Sequence, residues 1–96
     1  MRRATLILHR KRLFDDGTIA EMKLWLVPPP VRGSRHPFKY SLFYGREDMR
    51  LVGYDNEAGK GDHRHYGTRE EVYRFTSAER LMADFLADVR ALRRSH

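Results

Sequence analysis

The first half of the chain alternates between apolar and polar residues, with the two-residue period of a half-buried β-strand. Four segments follow this pattern: residues 5–14, 18–27, 38–44 and 50–55. The turn sequence Asp-Asp-Gly at residues 15–17 predicts that the first two segments form an antiparallel hairpin. Residues 68–75 are ambiguous, because Val72 and Phe75 allow a short extended segment without requiring one.

Residues 28–37 interrupt the alternation. Their three consecutive prolines lack the N–H group that a central strand needs. The segment PPPVRGSRHP is therefore expected to be a surface loop, and it carries Arg32, Arg35 and His36.

The end of the chain changes to the period of an α-helix. Six apolar residues recur at helical spacing: Leu81, Met82, Phe85, Leu86, Val89 and Leu92. Thr76 or Ser77 is suited to cap the helix, and Glu79 follows Thr76 at the spacing of a capping box. The single apolar stripe predicts that this helix packs across one face of the sheet.

Together these elements predict an α+β fold, with a single antiparallel β-sheet of about four to five strands and a C-terminal amphipathic helix packed on one face. No repeat or linker divides the chain, so residues 1–96 are expected to form a single domain. The face away from the helix should carry Lys23, Trp25, Lys39 and Phe43. Cations and rings suit phosphates and bases of nucleic acid, but a protein partner or solvent fits this face equally well.

The composition adds a strong basic charge. The formal net charge is +6 and the sequence pI is about 10.1, which makes nucleic acid or an acidic protein the leading partners. The chain has no cysteine, so disulfides, thiolate zinc sites and cysteine nucleophiles are excluded. No apolar run is long enough for a membrane span or a signal peptide, and we expect a cytoplasmic protein without membrane association.

The segment GYDNEAGKGDHRHYG follows the fourth predicted strand and is expected to form a long functional loop. His63 and His65 stand two residues apart, so an extended backbone would place both imidazoles on one face, about 6–7 Å apart at their bases. Such a pair suits cleavage of RNA without a metal, in which one imidazole deprotonates the 2′-hydroxyl and the other protonates the departing 5′-oxygen. Asp55 and Asp62 are candidates to orient an imidazole and stabilise its protonated form.

Cations and glycines in and beside the same segment suit an anionic substrate. Lys60, Arg64 and Arg69 are candidates to meet the charge that develops on the phosphoryl oxygens. Gly59 and Gly61 would let backbone N–H groups approach the anion.

The residues alone leave other interpretations open. The segment also suits an exposed polar turn, a phosphate clamp without catalysis, or a metal site with His63, His65 and an aspartate as ligands. A nucleotide-binding P-loop is excluded, because Gly61 stands where that motif requires serine or threonine.

Three runs of the sequence resemble the TumE family of toxins from bacterial toxin–antitoxin systems: GYDNEAGKGDHRHYG, REEVYRFTSAERLMADFLADV and GTIAEMKLWLVPPPVRGSRHPFKYSLFY. The resemblance covers nearly the whole chain and is most specific in GYDN-x-x-GK-x-x-HRH. It implies the toxin of a type II system, with RNA as the substrate and a helix-turn-helix antitoxin as the partner. A homodimer is left open.

By analogy with other small basic toxins, the resemblance implies a metal-independent endoribonuclease that needs no cofactor. Carried onto this sequence, the motif gives proton transfer to His63 and His65. The other predicted site residues are Asp55 and Asp62 for catalysis, and Lys60, Arg64, Arg69, Arg35 and Lys39 for contacts with phosphate or RNA. The alternative is a basic module that binds RNA, the ribosome or the antitoxin without catalysis.

Overall fold

The strands follow one another in an antiparallel meander. The structure, a computed structural model, describes residues 3–94, so both ends of the predicted domain 1–96 lie outside the described residues. The elements are β1 (Thr5–Leu13), β2 (Ile19–Leu26), β3 (Phe38–Arg46), β4 (Met49–Glu57), β5 (Gly61–Tyr66), β6 (Arg69–Val72) and α1 (Ala78–Arg94). Each strand pairs with the next in one sheet. The predicted α+β class, with one antiparallel sheet and a C-terminal helix, is confirmed.

Within residues 3–94 the sheet has six strands, so the predicted number of about four to five is wrong. The prediction relied on apolar alternation, which a strand with polar side chains on both faces does not show. The additional strand β5 is the sequence GDHRHY, which was expected to lie in a long loop. Its side chains are polar on both faces, and no apolar alternation marks it. Gly59 and Gly67 adopt φ of +84° and +61° in the turns at its two ends, a conformation that glycine reaches without steric cost. The short strand β6 then pairs with β5.

The face of the sheet beneath α1 holds the apolar core. Its buried residues are Ala20, Leu24, Tyr40, Leu42, Tyr44, Val52, Tyr54, Tyr73, Leu81, Phe85 and Val89. The helix packs mainly against β3 and β4, as its apolar stripe predicts. Of the two predicted caps Ser77 is the one used, since the N–H of Arg80 donates to its Oγ at 3.0 Å.

Asp88 of α1 ties the helix to β4 and β5. Its carboxylate accepts hydrogen bonds from the hydroxyl of Tyr54 and, at 3.0 Å, from the hydroxyl of Tyr66. Burial and the bond to Asp88 raise the pKa of Tyr54, so this hydroxyl stays protonated and remains a donor. The helix therefore fixes the position of the polar strand β5 against its apolar neighbour.

The loop of residues 28–37 is held against the turn between β4 and β5. Asn56 is 1% exposed; its side chain accepts a hydrogen bond from the N–H of Tyr40 (2.9 Å) and donates one to the carbonyl of Phe38 (2.7 Å). The N–H of Gly59 donates to the carbonyl of Arg32 at 2.6 Å. A buried amide with its partners satisfied is costly to replace, so these bonds anchor the start of β3 and the β4–β5 turn to each other.

Asp16, in the turn between β1 and β2, should make the stability depend on pH. Its carboxylate accepts hydrogen bonds from the Oγ1 and N–H of Thr18 (2.6 and 3.0 Å), and these bonds lower the pKa of Asp16 to about 2. The contribution of these contacts to the free energy of unfolding is complete above pH 3.8, the ordinary pKa of an aspartate, and is lost as the pH falls through about 2. We expect Asp16→Asn to lower the Tm at pH 7, with a difference from the parent protein that shrinks as the pH approaches 2.

Thermal scans by circular dichroism over this pH range would measure the effect. The control is Asp15→Asn, which removes the same charge from the same turn and leaves the bonds to Thr18 intact. An equal loss of Tm in both variants would show that net charge, not the Asp16 contacts, is responsible.

The strand register separates the two faces of the sheet. The face opposite α1, called the open face below, carries Lys23, Trp25, Lys39, Phe43, Asp55, His63, His65 and Glu70. The placement of the first four there agrees with the sequence prediction. Among residues 3–94 no helix is long and apolar enough to cross a lipid bilayer.

Candidate active site

His63 and His65 lie on β5 with their side chains on the open face. β5 pairs with β4 so that His63 stands opposite Asp55, and His65 opposite Gly53. The backbone is extended there, so the two imidazoles are about 7 Å apart at their bases. The extended backbone therefore places both imidazoles on one face of the sheet.

Each imidazole has a carboxylate neighbour on an adjacent strand. The Nε2 atom of His65 lies 3.3 Å from Asp55 Oδ2 on β4, and the Nδ1 atom of His63 lies 3.5 Å from Glu70 Oε1 on β6. The imidazole side chains are only 16% and 12% exposed for His63 and His65. Both rings are therefore held among charged groups rather than extended into solvent.

The histidines share a small polar cleft of about 100 Å³. It is lined by Arg50, Asp55, Glu57, Lys60, His63, His65 and Glu70. Lys60 Nζ lies 3.7 Å from Glu57 Oε2, and Arg50 Nη1 lies 4.0 Å from Asp55 Oδ2. Two cations face three carboxylates in this lining, so the cleft is negative by one charge when both imidazoles are neutral. Protonation of one imidazole would cancel this charge, and protonation of both would reverse its sign.

Gly53 allows the side chain of Arg50 to reach the cleft across the open face. A Cβ atom at Gly53 would lie 2.7 Å from Cδ of Arg50, closer than such atoms approach in proteins, and 3.2 Å from its Nε. Glycine inside a strand marks a close approach of this kind. The absence of a side chain at residue 53 therefore determines where the guanidinium lies.

Asp62 and Arg64, which alternate with the histidines along β5, point to the helix side. Asp62 Oδ2 lies 2.8 Å from Nε2 of His36, and Asp62 Oδ1 accepts a hydrogen bond from Ser34 Oγ at 3.2 Å. Burial disfavours the charged guanidinium of Arg64, but its hydrogen bonds to Glu71 and Tyr54 and the charges of its neighbours together outweigh this and raise the pKa of Arg64. Neither predicted site residue lies in the cleft, and both are held in contacts within the fold.

The other predicted contacts with RNA are spread over the surface. Arg69 on β6 lies 3.8 Å from Glu71 Oε2 and stacks on the ring of Tyr66, so it also lies outside the cleft. Lys39 is exposed on the open face opposite Trp25. Arg35 is exposed on the loop of residues 28–37.

Three cleft residues were missed by sequence reasoning: Arg50, Glu57 and Glu70. They lie on β4 and β6, and only strand pairing brings Arg50 and Glu70 next to β5. One signal was present in the sequence, since an isolated glycine in a strand pattern, here Gly53, indicates a close approach by another group. Within residues 3–94 no three histidine, cysteine, aspartate or glutamate side chains form a group that could hold a metal ion.

Comparison with known proteins gives one match. The family model described as "Toxin TumE" matches residues 3–93, which is nearly the whole chain. No curated protein and no solved structure gives a significant match to the chain.

Proposed function

We propose that this chain, which belongs to the TumE toxin family, is a metal-independent endoribonuclease. The observation that carries the proposal is the cleft of the open face, in which His63 and His65 lie beside Arg50 and Lys60. We further propose that it is the toxin of a type II toxin–antitoxin system, acting in the cytoplasm and neutralised by a helix-turn-helix antitoxin.

In the proposed reaction, the 2′-oxygen of a ribose attacks the adjacent phosphorus and the bond to the 5′-oxygen breaks. One imidazole takes the proton of the 2′-hydroxyl, and the other gives a proton to the departing 5′-oxygen. Arg50 and Lys60 face the negative charge that grows on the phosphoryl oxygens. The products are a 2′,3′-cyclic phosphate and a 5′-hydroxyl, so atoms and protons balance without a further reactant.

The carboxylate contacts indicate which imidazole nitrogens exchange protons. Asp55 faces Nε2 of His65, which leaves its Nδ1 for the substrate, and Glu70 faces Nδ1 of His63, which leaves its Nε2. Asp55 and Glu70 are therefore positioning residues, which orient the rings.

The open face offers a path for the RNA strand towards the cleft. Lys39 stands opposite Trp25 on neighbouring strands, and Lys23 lies on the same strand and the same face as Trp25. Bases can stack on the indole while the ammonium groups meet phosphates. The net charge of +6 would draw RNA to the protein before this contact forms. We propose that the exposed Arg35 contributes to this attraction.

The carboxylates of the cleft favour catalysis over a phosphate clamp. A clamp needs an excess of fixed cations, whereas the lining of this cleft has more carboxylates than cations. An imidazole paired with an orienting carboxylate is the usual arrangement of a general acid or base. The non-catalytic RNA-binding module is therefore the second candidate, supported by the basic and aromatic groups of the open face.

The proposal can be tested with short RNA oligonucleotides in the presence of a chelator. We expect cleavage that yields a 2′,3′-cyclic phosphate, identified by mass spectrometry, and no cleavage at a position whose ribose is replaced by 2′-deoxyribose. Cleavage of the deoxy position would contradict the proposed reaction. RNA that stays intact but binds with an affinity that falls steeply with salt would favour the binding module instead.

Replacing Gly53 by alanine should lower the rate of RNA cleavage only because it displaces the side chain of Arg50. The new Cβ of Gly53→Ala would displace the Arg50 side chain, and misplacement of a charged group by about 1 Å can cost up to about a hundredfold in rate. We expect a rate loss of about tenfold or more, with a small change in Tm because a flexible side chain yields. Arg50→Ala is the matched comparison, and the double variant should be no slower than Arg50→Ala. Additive losses would show that Gly53 acts independently of Arg50.

A further inference from the structure

A second concave surface lies on the helix side of the sheet, away from the cleft. Because α1 packs mainly against β3 and β4, the helix side of β1 is left largely uncovered beside it, while Ala20 and Leu24 of β2 are buried. A groove of about 890 Å³ runs between these strands and the C-terminal half of α1. It is much larger than the cleft around the histidines.

The floor of this groove is aliphatic. It is formed by Ala20 and Met22 of β2 and by Leu86 and Val89 of α1. Leu86 is 36% exposed, so apolar surface of the helix remains open to a partner. Among residues 3–94 the only ring in the lining is that of Phe14, and guanidinium groups of Arg12 and Arg93 lie over it at 4.7 and 3.8 Å.

The walls of the groove are strongly basic. They carry Arg10 and Arg12 from β1 and Arg90, Arg93 and Arg94 from α1, and among residues 3–94 no acidic residue lines the groove. Arg93 lies 3.3 Å from Asp16. Within residues 3–94, Arg10, Arg90 and Arg94 have no carboxylate partner. The fold thus holds several unpaired guanidinium groups around an apolar floor.

We propose that this groove docks an acidic amphipathic segment of a partner protein. Apolar side chains of the segment would cover the floor, and its carboxylates would pair bidentately with the arginines. A second copy of this chain fits poorly, because each copy carries a net charge of +6 and would bring like charges together. RNA fits poorly as well, because the one ring in the groove is already covered and bases have no free surface on which to stack.

The two surfaces lie on opposite faces of the sheet. A partner held in the groove would therefore leave the open face accessible, and docking does not depend on whether the cleft cleaves RNA. The groove extends the proposed function by a separate recognition surface, and a failure of either proposal can be measured without the other.

The test uses three labelled probes and the full-length protein. The first is a 20-residue helical peptide with leucines on one face and glutamates on the other, the second replaces its leucines by glutamine, and the third is a single-stranded RNA 12-mer. Fluorescence anisotropy measures the Kd of each for the parent protein, for Arg10→Glu/Arg90→Glu in the groove, and for Lys23→Glu/Lys39→Glu on the open face. Circular dichroism checks that each variant folds; if the groove variant does not, Arg10→Gln/Arg90→Gln is compared with Lys23→Gln/Lys39→Gln, so that the change in net charge stays equal.

We expect the leucine-containing peptide to bind at least tenfold more tightly than its glutamine counterpart. Its affinity should fall at least tenfold in the groove variant and less than threefold in the open-face variant, although both variants change the net charge equally. The groove variant should retain more RNA cleavage and RNA affinity than the open-face variant. Equal binding of both peptides, equal losses in both variants, or a larger loss of RNA affinity in the groove variant would each overturn the proposal.

Discussion

Replacing either His63 or His65 by alanine should lower the rate of RNA cleavage by at least about a hundredfold, the usual contribution of a general acid or base. Each imidazole is proposed to carry out one of the two proton transfers. If either imidazole is lost, water must carry out that proton transfer instead. Single-turnover cleavage of a labelled oligonucleotide at saturating protein measures the chemical step without the contribution of binding. The parent protein should show a bell-shaped dependence of rate on pH, because one imidazole must be neutral while the other is protonated.

His9→Ala is the matched control for these variants. His9 also lies on the open face, opposite Lys23, and its Nε2 is 2.8 Å from a carboxylate oxygen of Glu21. It thus reproduces the residue type, the face of the sheet and the acidic neighbour, but it lies on β1, at the far end of the strand order from β5 and β6. We expect its cleavage rate to match that of the parent protein.

The double variant His63→Ala/His65→Ala separates catalysis from binding. If both residues act in one reaction, the double variant should be hardly slower than the single ones, because either loss already removes the concerted proton transfers. Undiminished cleavage in the double variant would remove these residues from the proposed mechanism. Cleavage that disappears together with RNA affinity would identify them as binding groups.

Replacing Phe85 by alanine should have the largest effect on stability. Phe85 is 0% exposed, and its ring meets Tyr54 of β4 edge to face at a centroid distance of 6.0 Å. Truncation of a buried phenylalanine leaves a cavity and costs about 3–5 kcal/mol. For a domain of this size the loss corresponds to a fall in Tm of roughly 12 °C or more. Thermal unfolding followed by calorimetry would measure it.

Leu86→Ala is the control for this variant, since it truncates the next residue of the same helix. Leu86 is 36% exposed and is expected to cost less than about 1 kcal/mol. Similar losses of stability in Phe85→Ala and Leu86→Ala would contradict the orientation of α1, in which Phe85 is buried against the sheet and Leu86 is partly exposed. A loss of cleavage in Phe85→Ala at temperatures where the protein stays folded would show that the core also positions β4 and β5.

The helix and strands β2 to β4 could be predicted because their buried residues recur with the period of the element. In β1 every side chain but the half-buried Leu8 is exposed, and this strand was predicted from its sequence alternation and from the turn that follows it. Leu81, Phe85 and Val89 recur at helical spacing and are the residues that α1 buries. In β2 and β3, residues such as Leu24 and Leu42 alternate with exposed or half-buried ones and face the core. A strand or helix with one apolar side can be recognised from local pattern alone, since water is excluded from that side only.

β5 could not be recognised in this way, although it carries the proposed catalytic residues. Both of its faces are polar: His63 and His65 face the cleft, while Asp62 and Arg64 are paired with His36 and Glu71 on the helix side. Each of these polar groups is satisfied by a residue distant in sequence or on another strand. The sequence around β5 does not indicate those partners, so the same residues are equally compatible with an exposed loop.

The sequence by itself determined the α+β class, the position of the helix, the basic charge and the pair of histidines that an extended backbone would bring together. Only the tertiary structure decided that the backbone is extended there, which carboxylate stands beside each imidazole, and that Arg50 rather than Arg64 reaches the cleft. It also decided that the helix covers β3 and β4 and leaves an arginine-lined groove over β1 and β2. The reason is physical: apolar periodicity reflects contact with a general core, whereas the neighbours of a polar side chain depend on strand pairing between residues far apart in the chain.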